Sequence, residues 1–188
     1  NGEAAPPLAL RIHLGEYCLT GELDGLGSGG YRAYHVDKMR PWMWLRLWLS
    51  HLALCCSTTD LNRQSTWIAE DRTVVLRAPQ RPEALLSRLL ALYWEGLHKP
   101  LHFFPKSAWA YVEAGAGKGK TDPLAKARAR WSAASRQGVV PESHDPYYRL
   151  LFEHHPEPLD ECFVALAAEL FGSARQHIRS AGDGEGDS

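Results

Sequence analysis

One apolar segment, residues 42–56, constrains the fold of this chain more than any other feature of its sequence. Arg40-Pro41 precedes it, and proline is tolerated in the first turn of a helix because its missing N–H would have no intrahelical partner there. The main apolar positions recur at the spacing of a helical stripe: Trp42, Leu45, Leu49, Leu52 and Cys56. A second set widens that stripe: Trp44, Leu47, Trp48 and Leu54. The segment therefore predicts a helix that other elements cover on more than one side.

Strands are predicted before this helix, because apolar residues alternate there with a period of two. Residues 8–14 and 17–23 alternate on either side of a turn at Gly15-Glu16. A third strand is predicted at 31–36, after the glycine-rich loop 25–30. Strands joined by such short loops are typical of an antiparallel meander.

The rest of the chain predicts a hairpin followed by helices. The hairpin joins residues 66–69 to residues 73–77. Five helical segments are predicted after it: 82–98, 107–114, 123–137, 146–154 and 158–179. This order of elements predicts an α/β (α+β) domain with one small mixed sheet and flanking helices.

The length of 188 residues fits one domain, which we expect to span residues 8–180. Residues 1–7 are expected to form a tether, and the Gly/Asp/Glu-rich residues 181–188 a disordered tail. Because the sequence begins at Asn1 and not at methionine, we interpret it as a fragment of a longer chain.

Charge and cysteine content narrow the classes of function. The net charge is −1 at pH 7, so any contact with nucleic acid depends on a local basic patch. Arg46, Ser50 and His51 interrupt the longest apolar segment, which leaves it too short and too polar for a membrane span. The four cysteines lack C-x-x-C spacing, which predicts reduced thiols in the cytoplasm and no zinc or iron–sulfur site.

Residues 114–121 satisfy a relaxed nucleotide-binding pattern, with Ala114 in place of the first glycine. A phosphate-binding loop needs a buried strand before it, a helix directly after it and a second apolar strand ending in a Mg²⁺-binding aspartate. Asp122-Pro123 interrupts the required helix start, and no such strand follows. We therefore predict a glycine- and lysine-rich loop and not an NTPase.

Acidic residues at the ends of the predicted strands invite comparison with Mg²⁺-dependent nucleases of the PD-(D/E)xK type. Those enzymes place an acidic residue and a lysine two positions apart on a strand, because side chains two apart share a face. Here Asp37 and Lys38 are adjacent, Met39 takes the required place, and Glu22 and Asp24 lack an activating lysine. We predict no catalytic residues, with Asp24, Asp37 and Lys38 as vestiges of such a site.

Two histidine pairs have spacings that deserve comparison with metal sites. His98 and His102 stand four apart, but Pro100 breaks the helix that would bring them together. His154-His155 lies at a predicted helix end, where an imidazolium suits the helix dipole. Both pairs are interpreted as structural or solvated, and no metal site is predicted.

A basic cluster is the feature that bears on nucleic acid. Its members lie within 19 residues of one another, with Asp122 as the one acidic residue among them: Lys118, Lys120, Lys126, Arg128, Arg130 and Arg136. Lys126 and Arg130 share a helix face at i, i+4, where they could contact phosphates. We predict DNA binding by Lys118, Lys120, Lys126 and Arg130; an ordinary solvated helix face is the alternative.

Three ordered stretches carry a resemblance to a known family: residues 45–54 (LRLWLSHLAL), 100–109 (PLHFFPKSAW) and 145–152 (DPYYRLLF). Together they resemble the C-terminal domain of RecC, the gamma subunit of exodeoxyribonuclease V, over nearly the whole chain. The resemblance implies a PD-(D/E)xK nuclease-like fold that lacks the active site. It also implies a terminal fragment of a much longer subunit.

The resemblance further implies a function in double-strand-break repair and recombination. It implies a non-catalytic scaffold and DNA-guiding domain whose partners are RecB-like and RecD-like subunits, DNA ends and separated strands. The domain itself would need no cofactor, since Mg²⁺ and ATP are used by the partner subunits. One alternative is a residual Mg²⁺-dependent nuclease that uses Glu22, Asp24 and Asp37, and another is an interaction module unrelated to DNA.

Overall fold

The computed structural model describes residues 6–57, 62–117, 121–132, 140–155 and 157–180. The strands are β1 (Leu8–Leu14), β2 (Tyr17–Leu23), β3 (Leu26–Gly27), β4 (Gly30–Tyr34), β5 (Ser65–Ile68), β6 (Thr73–Leu76) and β7 (Ile178–Ser180). The helices are α1 (Pro41–Cys56), α2 (Pro82–Gly96), α3 (Pro105–Ala116), α4 (Pro123–Ser132), α5 (Pro146–Phe152), α6 (Glu161–Ala167) and α7 (Ser173–Gln176). A 3-10 turn spans Glu142–His144, and a π-helical segment, Ala168–Gly172, joins α6 to α7.

The chain divides into two compact units. The first comprises Asn1–Leu92 and Ala174–Ser188, and the second comprises Tyr93–Ser173. Small sheets with flanking helices confirm the predicted mixed α/β class. The expectation of one domain over residues 8–180 stays a prediction. Among the described residues, no helix combines the length and apolar composition that a membrane crossing requires.

The opening strands of the first unit form two sheets, so the prediction of one meander was wrong. β1 and β2 pair with each other alone, whereas β4 takes β3 as its antiparallel partner. The glycine-rich loop supplies β3, which the sequence pattern did not reveal. Gly30 has a φ of +93°, and a Cβ there would collide with the carbonyl oxygen of Gln64. Glycine at this position thus allows β4 to approach the segment before β5.

The larger sheet has the order β3-β4-β5-β6-β7. β4 and β5 are parallel, and α1 makes the crossover that parallel neighbours require. β5 and β6 form the predicted hairpin. β7 corrects the predicted helix over 158–179, because Ile178 pairs with Leu76 and the helical segment ends at Gln176. β7 has three residues, which is too few for an alternating pattern to distinguish a strand from the end of the preceding helix.

The buried face of α1 differs from the predicted stripe. Trp42 and Leu49, two members of that stripe, are about half exposed, at 48% and 47%. The buried positions are Met43, Trp44, Leu47, Trp48, His51, Leu52, Ala53, Leu54 and Cys55. They confirm that the helix is covered on more than one side. His51 lies in the middle of this set, so a polar residue occupies a position that apolar patterning alone would leave to solvent.

His51 is fully buried, and both of its ring nitrogens have partners. Nε2 donates to the carbonyl oxygen of Arg77 at 3.0 Å, which leaves Nδ1 as the acceptor for the Ser65 hydroxyl at 2.8 Å. Trp48 stacks on the His51 ring, and His177 stacks on Trp48. Burial lowers the pKa of His51 to about 4, so the ring is neutral at pH 7.

The second unit is a helical cluster around an aromatic core. Phe104 is fully buried and lies against four other rings: Trp131, Tyr148, Phe152 and Phe163. Ala108, Ala127 and Ala167 are buried as well, so small side chains allow the helices to approach closely. This core fixes α3, α4 and α5, and α4 carries Lys126 and Arg130, two of the predicted DNA-binding residues.

Candidate functional site

The acidic residues of the predicted vestigial nuclease site are all exposed. Asp24 follows the end of β2, and Asp37 and Lys38 follow β4, which ends at Tyr34 rather than at residue 36. A ring nitrogen of His35 lies 3.9 Å from the Asp37 carboxylate. Asp37 and Lys38 thus occupy a loop, where the alternation of a strand no longer fixes their directions.

The carboxylates of Glu22, Asp24 and Asp37 do not form a shared cation site in the described part of the chain. Among the described residues, the potential ligand atoms that come within mutual reach in a group of three belong instead to His102, His155 and Asp160. A Mg²⁺ site needs several oxygens around one point. The geometry therefore gives no support to a nuclease built on those three carboxylates.

The predicted DNA-binding residues Lys126 and Arg130 lie together on α4. Both are exposed and line a groove of about 560 Å³ between α3, α4 and the segment 140–141. The other lining residues are Ala110, Glu113, Ala114, Ala129, Val140 and Pro141. Lys118, Lys120 and Arg136 lie outside the described residues. The structure thus confirms that Lys126 and Arg130 share one helix face, whereas their contact with DNA stays a prediction.

Two acidic residues, Glu157 and Glu113, lie near basic side chains of the cluster or of the groove. Arg128 lies 3.5 Å from the carboxylate of Glu157 in a surface ion pair, away from the lining of the groove. Glu113 is the acidic residue among the groove-lining residues. The groove therefore has a net charge of +1 from Lys126, Arg130 and Glu113. This positive charge is modest.

Glu142 holds the start of α3, which forms one wall of the groove. Its carboxylate accepts hydrogen bonds from the Lys106 N–H (2.9 Å), the Ser107 N–H (2.8 Å) and the Ser107 hydroxyl (2.8 Å). The residue that precedes α3, Phe104, gives no side-chain cap, so Glu142 satisfies the N–H groups of the first turn from 35 residues away. Burial raises the pKa of Glu142, and these hydrogen bonds offset that effect only in part.

An exposed apolar face lies on α5. Tyr147, Leu150 and Leu151 are 75%, 80% and 53% exposed, and their i, i+3, i+4 spacing puts them on one side of the helix. We call these three residues the α5 face. Single exposed apolar side chains are ordinary, but three large ones on a seven-residue helix form a patch that is typical of an interaction surface.

The sequence of the first 116 residues decides the family. The family model of the RecC C-terminal domain matches residues 1–116. The chain belongs to this family. The match confirms the resemblance and includes the stretches 45–54 and 100–109, whereas 145–152 lies outside it. A search of the curated proteins found no match.

Membership of the RecC C-terminal domain family implies a part of the RecC gamma subunit of RecBCD, which acts in DNA repair. It also implies, in general, the partners RecB and RecD. Lys126, Arg130 and the α5 face belong to the part of this RecC C-terminal domain that follows the matched segment.

Sequence reasoning missed two polar clusters of this RecC C-terminal domain. One is the cap formed by Glu142, and the other joins His102, His155 and Asp160. His102 and His155 come from the two different pairs that we compared with metal sites separately. Asp160 has a local signal, because an Asp before an apolar run predicts a helix N-cap, and it does cap α6. No local signal pairs it with the histidines.

Proposed function

We propose that this RecC C-terminal domain is a non-catalytic scaffold that docks on the motor subunits of a RecBCD-type helicase–nuclease and guides one separated DNA strand. The observation that carries the proposal is the α5 face, whose large apolar side chains are more than half exposed in the described part of the chain. Buried in an interface, such side chains would each contribute on the order of 1 kcal/mol or more to docking. We place this function in the cytoplasm, where DNA repair complexes act.

Substitution of the α5 face is expected to abolish docking. In a pull-down with co-expressed RecB-like and RecD-like subunits, Leu150→Glu with Leu151→Glu should capture neither subunit, because two buried carboxylates would lack partners. Val36→Glu is the matched control, since Val36 is 90% exposed and belongs to the first unit. Capture by the double variant at the level of the control would contradict docking through α5.

The basic groove supports the guiding part of the proposal. Lys126→Glu with Arg130→Glu should weaken the binding of single-stranded DNA to the assembled complex. Because each lost phosphate contact on a single strand removes roughly 0.7 from the slope of log affinity against log salt, the slope should become shallower by about 1.4.

A charge-matched control separates this groove from a general effect of net charge. Arg11→Glu with Lys38→Glu reverses two exposed basic residues of the first unit and changes the net charge by the same amount. We expect this control to keep the salt slope of the unmodified complex. An unchanged slope in the Lys126/Arg130 variant, measured by fluorescence anisotropy over a salt series, would exclude the groove as a strand guide.

We further propose that the five-stranded sheet of the first unit belongs to a PD-(D/E)xK nuclease-like fold that has no catalytic activity. Support comes from the α1 crossover between parallel β4 and β5 and from the exposed positions of Asp24, Asp37 and Lys38. Mg²⁺ added to the purified protein with labelled DNA is expected to produce no cleavage, and Asp24→Ala should change nothing. Cleavage that EDTA and Asp24→Ala both abolish would restore the nuclease alternative.

A further inference from the structure

His102, His155 and Asp160 meet in the second unit from three separate backbone segments. One ligand atom from each residue lies within 4.8 Å of the other two. Nδ1 of His102 is 2.9 Å from Oδ2 of Asp160, and the His102 and His155 rings meet edge to face with centroids 4.8 Å apart. We call these three residues the His–His–Asp cluster.

The backbone holds each member of the cluster in place. His102 is the middle residue of a tight turn in which the Phe103 N–H donates to the Leu101 carbonyl at 2.7 Å. The His155 N–H donates to the carbonyl of Phe152 at the end of α5, at 3.0 Å. Asp160 caps α6, since its Oδ1 accepts from the Phe163 N–H at 3.0 Å. This cap fixes the carboxylate and leaves Oδ2 directed to His102.

His102 and Asp160 form an ion pair to which a second histidine is added. His102 Nδ1 is shielded from solvent and lies at ion-pair distance from Asp160, yet it has no well-aligned hydrogen bond. A second imidazole, His155, approaches the same place, with its ring centroid 4.8 Å from that of His102. Two imidazoles and one carboxylate are a donor set that binds a divalent transition metal.

We propose that the His–His–Asp cluster binds one divalent transition-metal ion of the zinc class, with a position left open to water or to an oxygen ligand. Bonds of about 2.0–2.1 Å in tetrahedral geometry separate neighbouring ligand atoms by about 3.3 Å, so the cluster would close on a metal with shifts of about 1 Å. Two further features are typical of metal sites: the ligating carboxylate is itself hydrogen-bonded, and an aromatic ring, Phe152, flanks His102 edge-on at 5.1 Å.

A bound ion would link the turn at residues 101–103, the end of α5 and the start of α6. This site is independent of the scaffold function proposed above, because neither the α5 face nor the groove contributes a ligand. Asp160 and His155 also lie beyond the segment that the family model matches. The proposal therefore depends on this chain's own residues.

Cobalt(II) and zinc(II) binding to the whole chain tests the proposal. Chelator-treated protein should take up one Co²⁺ with visible absorption bands of a tetrahedral site, and Zn²⁺ should displace it. His155→Gln and Asp160→Asn should each weaken binding by about tenfold or more, because each removes one of three ligands. Asparagine at 160 keeps the α6 cap, so a loss of binding would not be due to loss of the helix start.

His154→Gln is the matched control, because it removes an exposed histidine adjacent to the cluster. This variant should bind Co²⁺ as the unmodified chain does. Zn²⁺ should also raise the unfolding temperature of the unmodified chain and of His154→Gln, and it should raise that of Asp160→Asn less at the same concentration. Equal metal affinity in all the variants, or no uptake by the unmodified chain, would overturn the proposal.

Discussion

Replacement of Glu142 by alanine is expected to lower the free energy of unfolding by about 3 kcal/mol. The substitution removes three hydrogen bonds from a carboxylate that is only 4% exposed, and it leaves the buried Ser107 N–H without a partner. An unsatisfied buried group costs about 1–3 kcal/mol, and loss of a helix cap about 1 kcal/mol. Urea denaturation followed by tryptophan fluorescence measures the loss, since Trp109 and Trp131 belong to the same unit.

Two further variants show whether the cap causes this loss. Glu142→Gln keeps one carbonyl acceptor but turns an amide N–H₂ toward backbone donors, so it should lose most of the same stability. Glu153→Gln removes an exposed acid at the end of α5 and should stay within about 0.5 kcal/mol of the unmodified chain. Equal stability of the Glu142 and Glu153 variants would mean that the buried hydrogen bonds do not stabilise α3.

The stability of the protein is expected to fall by about 3 kcal/mol between pH 6.5 and pH 4 because of His51 alone. Burial lowers the pKa of His51 to about 4, whereas the unfolded chain takes up the proton near pH 6.5. Above pH 6.5 the His51 ring is neutral in both the folded and the unfolded state, and its full contribution to the free energy of unfolding is present. Below that pH His51 is protonated in the unfolded state but stays neutral in the folded state. Its contribution to the free energy of unfolding is therefore lost as the pH falls to about 4.

His51→Gln isolates this effect, because glutamine does not titrate. We expect unfolding free energies of this variant, measured by urea titration at several pH values, to depend less on pH over this range. His13→Gln is the control, since His13 is exposed on β1 in the same unit. A His51→Gln variant whose pH dependence matches that of the control would show that His51 is not the buried neutral group.

Local patterns were sufficient for much of the secondary structure. Alternation predicted β1 and β2 with their observed bounds, and Pro41 with the apolar run after it predicted α1. The i, i+4 spacing of Lys126 and Arg130 placed both on one face of α4. These predictions succeed because alternation, helical spacing and proline chemistry act over a few residues.

Only the tertiary structure decided how distant segments meet. β7 exists because β6 offers it a free edge, and the buried face of α1 includes His51 because Ser65 and Arg77 satisfy both ring nitrogens. The Glu142 cap and the His–His–Asp cluster likewise join residues that lie 35 and 58 positions apart, counted from Ser107 to Glu142 and from His102 to Asp160. The sequence by itself determined β1, β2, α1 and the charged face of α4. The pairing of buried polar groups depended on tertiary packing, because a side chain's partner across space leaves no periodic signal along the chain.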